Sequence, residues 1–180
     1  MMRILSPIYQ LLRRFRRNEK GSASIEFVIL LPIFMTIFTS SFESGLLMTK
    51  YMMFERALDM AVRDIRMSDG TDITHDSIKE AICDEALLFK DCEDVLLLEM
   101  ESVDLNGTIT ALTPNCVDRS SDVDPVVSFT PGTESEVMFL TACIIVDPLF
   151  PGAGLGLALT KDGTGGYAMI ATSAFVNEPN

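Results

Sequence analysis

Histidine is almost missing from this sequence, with His75 the single example, and its four cysteines include no Cys-x-x-C pair. Zinc centres draw on imidazoles and closely spaced thiolates, so no zinc site is expected. No serine lies in a Gly-x-Ser-x-Gly frame, the turn that lifts a nucleophilic serine above a hydrolase sheet. Carboxylates are numerous but scattered, and nothing in their spacing pairs an acid with a base. These absences point away from an enzyme. Basic residues are also thin outside one region: residues 1–21 carry +5, and the remaining chain carries −17 of a total of −12. Phosphate recognition needs a dense basic surface, so nucleic acid is not an expected partner of the body.

The basic region contains Arg3, Arg13, Arg14, Arg16, Arg17 and Lys20, and an apolar run follows it directly. From Phe27 to Phe42 no residue is charged, and apolar character resumes with Leu46, Leu47 and Met48 after Glu43. A bilayer core takes about 20 helical residues, so a single membrane span over about residues 25–47 is expected. Thr36, Thr39, Ser40, Ser41 and Glu43 make its second half wetter than the first. Dense Lys/Arg before the span and few after it put the N-terminus in the cytoplasm and export the body. No Ala-x-Ala-like site closes the run, which sets it apart from an ordinary secretory signal. Glu26 is a carboxylate at the mouth of this span.

Helical character continues past the span. Leu47, Phe54, Leu58, Ala61 and Ile65 form one apolar stripe, with Lys50, Arg56, Asp59, Arg63 and Arg66 on the other side. The spacing predicts one helix over about 22–67, roughly 70 Å long at 1.5 Å per residue, with Pro32 expected to kink its membrane half. The division expected is a basic arm at 1–21, the helix at 22–67 and an exported domain at 68–180.

Turn chemistry in "SDGTDITHD" (68–76) ends the helix. A short second helix is expected across "SIKEAICDEALL", capped by a Ser77…Glu80 box. Strand patterns follow at 95–105, 126–130, 136–147 and 167–176, with Pro114, Pro125, Pro131 and Pro148 between them. The expected class is α+β, a long helix packed on an antiparallel sheet of three or four strands. Cys83, Cys92, Cys116 and Cys143 all fall in the exported part, where an oxidising compartment favours two disulfides with three conceivable pairings. Sequence proximity favours Cys83–Cys92 and Cys116–Cys143.

Other patterns have plainer readings. "PGAGLGLAL" (151–159) lacks the later glycine of a dinucleotide loop, and no Gly-Lys-Ser/Thr follows it, so a flexible apolar loop is expected and no cofactor. "DRSSDVD" (118–124) and "TKDGTGG" (160–166) do not follow the spacing of a calcium loop and read as solvated turns. One calcium site among them stays open. Asn106-Gly107-Thr108 fits both a glycosylation sequon and a hairpin turn.

The order of a basic leader, Gly21, "SASIEF" and a long apolar helix resembles the prepilin-peptidase site of type IV pilins and pseudopilins. More narrowly, "GSASIEFVILLPIF", continuing through "FESGLLMTKYMMFERALDMAVRDIR", is similar to TadE/TadF-like pseudopilins of tight-adherence (Flp-type) pilus systems. The resemblance implies a pilin-like fold and cleavage after Gly21. Ser22 would become the new N-terminus, and Glu26, fifth in the mature chain, would be the assembly glutamate. It also implies a minor pseudopilin or assembly factor acting in pilus biogenesis, attachment and biofilm formation. Such a protein would sit in the bacterial inner membrane with its domain periplasmic. Its partners would be the prepilin peptidase, other pilins and pseudopilins, and platform proteins. An unprocessed, membrane-anchored ectodomain that binds a small ligand or ion is the alternative.

Overall fold

The computed structural model describes residues 22–67, 73–103, 114–121, 125–133 and 135–177. The basic arm including Gly21, residues 68–72, the Asn106-Gly107-Thr108 sequon, residues 122–124 of the first acidic stretch and the last three residues lie outside them. Helix α1 runs Ser22–Met67, 46 residues without a break. Pro32 removes one helical donor and Gly45 adds backbone freedom, yet neither ends it. Elsewhere the run is rich in Leu, Met, Ile and Phe, and its charged residues gather beyond Glu43.

The second half of α1 enters a core. Phe54, Ala57, Leu58, Ala61, Val62 and Ile65 are all buried, with Leu47 and Tyr51 packed at the margin. This is the apolar stripe expected from the spacing, widened by neighbouring small residues. It faces alternate residues of a three-stranded antiparallel sheet in the order β1-β2-β3. The strands are β1 (Leu96–Ser102), β2 (Val137–Val146) and β3 (Tyr167–Val176). Period-two alternation puts Leu96, Leu98 and Met100, then Met138, Leu140 and Ile144, then Tyr167, Met169 and Phe175 in the shared core. β2 is central and almost wholly buried, which explains its continuous apolar centre. Its register with β3 pairs Val137 with Val176 and Val146 with Tyr167.

Helix α2 (His75–Glu85) packs Ile78 and Ile82 against α1. It starts two residues before the expected point, and its cap is a different one. Thr74 is extended, its hydroxyl accepts the Ser77 N–H, and the Ser77 hydroxyl accepts the Thr74 N–H. The Ser77…Glu80 box therefore does not form, because the chain turns helical before Ser77. The helix also ends early: Ala86 donates to Ile82 and Phe89 to Ala86. This tight reversal lets Cys92, at the head of the one-turn α3 (Cys92–Val95), bond to Cys83.

The second disulfide joins Cys116 to Cys143 in the middle of β2. It holds the segment at 114–118 over the sheet face turned away from α1, where Asn115 donates to Glu99 at 2.6 Å. In a chain-entropy account, closing the longer loop contributes about 3.5 kcal/mol and the shorter Cys83–Cys92 loop about 2.5 kcal/mol.

One strand expectation and one loop expectation need correction. The segment 126–130 does not form a fourth strand. Trapped between Pro125 and Pro131, it touches the edge of β1 by one parallel bridge, Phe129 with Met100. The glycine-rich segment is not simply a loop: residues Gly154–Ala158 form a short helix, α4, seated on α1.

Candidate functional site: the exposed helix and its junction

α1 has two environments. From Ile25 to Phe38 its large apolar side chains are all well exposed, Phe27 at 63 % and Phe34 at 63 %. An 18-residue window of the helix passes the length and hydropathy test for a membrane span, and none of it is buried. Burial sets in at Glu43, which is 3 % exposed.

Three of the hydroxyls that made this run look wet, those of Thr36, Thr39 and Ser40, are satisfied within the helix, as is that of Ser44. Thr36 donates to the Pro32 carbonyl at 2.8 Å, Thr39 to Met35 at 2.9 Å, Ser40 to Thr36 at 2.7 Å and Ser44 to Ser40 at 2.9 Å. Hydroxyls bonded back to the preceding turn present little unpaired polarity to lipid. On another face Phe34, Phe38 and Phe42 stack at four-residue steps, with centroids 6.4 and 6.5 Å apart.

Glu43, counted from the sequence only as added wetness in the span, holds the junction between helix and body. Its Oε1 accepts the Leu149 N–H at 2.7 Å, and its Oε2 accepts the Phe150 N–H at 2.9 Å. Both donors lie in the connection from β2 to β3, so one carboxylate pins that connection to the helix. The connection is shaped for the contact. Gly154 adopts φ +55°, and a Cβ there would fall 2.2 Å from Ser40 Oγ, so only glycine fits both the backbone and the approach. The signal was present: Glu43 stands four residues before Leu47, one step back along the stripe that faces the core. A charge on that stripe must find a partner.

Next to this clamp lies an ion cluster. Arg119 grips Asp147 with two hydrogen bonds of 2.8 and 3.1 Å and approaches Asp162 at 3.6 Å. The bond from Arg119 holds the Asp147 carboxyl below its ordinary value. Burial works against ionisation of Asp162, but the Thr164 hydroxyl and the Gly166 and Thr164 amides outweigh it, and its value too is lowered. Asp118 is lowered by bonds from the Ser120 hydroxyl and amide. Asp118 and Asp162 thus serve their own turns, and among the described residues no group of three or more His, Cys, Asp or Glu is placed to hold a metal ion. His75 opens α2, with Nδ1 3.1 Å from Asp76 and its ring edge-on to Phe129.

Tyr167 closes the junction from the sheet side and is 7 % exposed. Its phenol is pushed up to about 12, first by burial and then by the charges of Glu43 and Asp147. An unfolded tyrosine ionises near pH 10, so the fold favours the neutral phenol. This contribution is intact below about pH 10 and is lost as pH rises toward about 12. Tyr167→Phe should therefore match the parent near neutrality and exceed it in stability above about pH 10, the gap reaching about 2–3 kcal/mol. Denaturant unfolding across that range, followed with phenolate absorbance, measures it.

The residues singled out from sequence fall in two places. Ser22 is the first residue of α1 and Glu26 lies one turn on, exposed, while Gly21 lies outside the described residues. The four cysteines form the two domain disulfides, away from the helix start. Residues 21–63 match the family model of TadE-like proteins. The match opens at Gly21, takes in the whole exposed run and Glu43, and ends inside the core-facing stripe. The matched segment is similar to that family over 43 of the 180 residues. Its apolar N-terminal helix is consistent with a membrane anchor. No curated protein and no solved structure matches the chain.

Proposed function

We propose that this chain is a minor pseudopilin or assembly factor of a tight-adherence pilus. The first half of α1 anchors it in the bacterial inner membrane, with residues 1–21 cytoplasmic and the disulfide-bonded domain periplasmic. The prepilin peptidase cuts after Gly21, Ser22 becomes the N-terminus, and Glu26 serves assembly. The observation that carries this reading is the division of α1: an exposed apolar run inside the TadE-like match, then a buried stripe from Glu43 onward. Ser22 to Phe42 would rise about 31 Å as helix, close to the roughly 30 Å of a bilayer core. The proposed span is thus shorter at its far end than the 25–47 expected from hydropathy.

The protein then works by contacts rather than by catalysis, through its helix in the membrane and its domain surface with other pilins, pseudopilins and platform proteins. Mass analysis of the protein from cells that hold the pilus peptidase should give a chain beginning at Ser22. A chain still beginning at Met1 would sink the processing step and favour an unprocessed anchored ectodomain.

A further inference from the structure

From Pro148 to Thr160 the chain carries no charged residue, although it belongs to the strongly acidic body. Leu149 and Leu157 within it are 55 % and 68 % exposed. Exposed leucines are ordinary when scattered over a surface. These are set apart by where the segment attaches, which is at Ser40 and Glu43, where the exposed apolar run of α1 ends. Glu43 is also the one charged residue between Glu26 and Lys50. Both its oxygens are occupied by amides of this same segment, so its carboxylate is covered at that level. Charges resume on either side: Asp147 is held by Arg119, and Lys161 folds its ammonium back to the Pro151 carbonyl at 2.7 Å. Apolar tips with an ammonium at the rim match the layered chemistry of a membrane interface, apolar below and anionic phosphate above.

We propose that the connection from β2 to β3 is a second membrane contact, with Leu149 and Leu157 seated in the interfacial layer of the bilayer that α1 crosses. The inference rests on the reading of α1 as a membrane anchor. The partner is the lipid surface itself, since the segment continues the apolar surface of the helix without a charged gap. Two points of attachment fix how the domain stands on the membrane, which a single helix would leave free to swing.

The sequence contains no tryptophan, so single reporters can be placed without background. The full chain would be made as Leu149→Trp, Leu157→Trp, Phe34→Trp in the exposed helix and Val126→Trp at a position 98 % exposed beside β1. Each would be reconstituted into vesicles of phosphatidylethanolamine and phosphatidylglycerol containing acyl-brominated lipid. The Leu149 and Leu157 reporters should be quenched several-fold more than the Val126 reporter, most by bromines near the headgroup, and the Phe34 reporter by deep bromines. Quenching at 149 and 157 no greater than at 126, with 34 still quenched, would overturn the interfacial contact and leave the anchor standing. A blue shift at 149 and 157 without bromine quenching would mean that protein covers them, and would also overturn it. Loss of quenching at 34 as well would overturn the anchor and this inference together.

Discussion

Glu43→Ala should destabilise the domain by about 3 kcal/mol, the largest effect expected of any single side chain at the junction. Two charge-assisted bonds to backbone amides are lost, at 2.7 and 2.9 Å, and such bonds contribute about 1.5–3 kcal/mol each. Relief of the buried carboxylate's desolvation offsets part of the loss. The two amides then keep no partner in a site that is 3 % exposed at Glu43, and the connection lifts from the helix. Glu43→Gln retains one acceptor oxygen and nearly the same shape, so it should lose only about 1–2 kcal/mol. Denaturant unfolding of the full chain in detergent, read by tertiary-structure signals, separates the two variants. An alanine variant within about 0.5 kcal/mol of the parent, the range of an ordinary surface change, would remove Glu43 from its role as a clamp.

That clamp marks the limit of what hydropathy discloses. The ends of α1, the core-facing stripe from Phe54 to Ile65, β2 and β3 follow from period and composition alone. The reason is that each buries a whole face and a wrong register would expose it. Glu43 did not follow, because averaging over the run counted it as a little added wetness. The stripe Leu47, Phe54, Leu58, Ala61, Ile65 extends backward by one step onto it, and the partner lies 106 residues away in sequence. The cap of α2 failed for a different reason. The Thr74–Ser77 and Ser77–Glu80 boxes compete for one donor, the Ser77 N–H, and the extended backbone of Thr74 decides between them. In the glycine-rich segment the glycines do allow unusual backbone. They are used for close approach, Gly154 to Ser40 and Gly156 to the Phe150 carbonyl. Composition reads freedom where packing has used it up.

Under the proposed reading, Glu26→Ala should leave insertion of the helix unchanged and reduce pilus assembly by tenfold or more. Ser22 and Glu26 are separated by four residues along α1, so the two positions share one helix face. Cleavage after Gly21 would create an α-amine on that face, at the lipid interface. A carboxylate and an ammonium in such a setting favour one another far more than in water, since neither is well solvated alone. If the amine belongs to a neighbouring subunit, each contact adds a charge-assisted bond of about 1.5–3 kcal/mol, and each 1.4 kcal/mol is about tenfold in association. Glu26→Gln keeps size and hydrogen bonding but not charge, so it should fall with alanine. Glu26→Asp keeps charge with a shorter reach and should lie between. Insertion would be checked by membrane fractionation, and assembly by counting pili in cells that carry each variant. Normal piliation with alanine would mean that the carboxylate meets no amine in assembly. Loss of insertion would instead place Glu26 in membrane topology, a role the basic arm at 1–21 is already suited to fill.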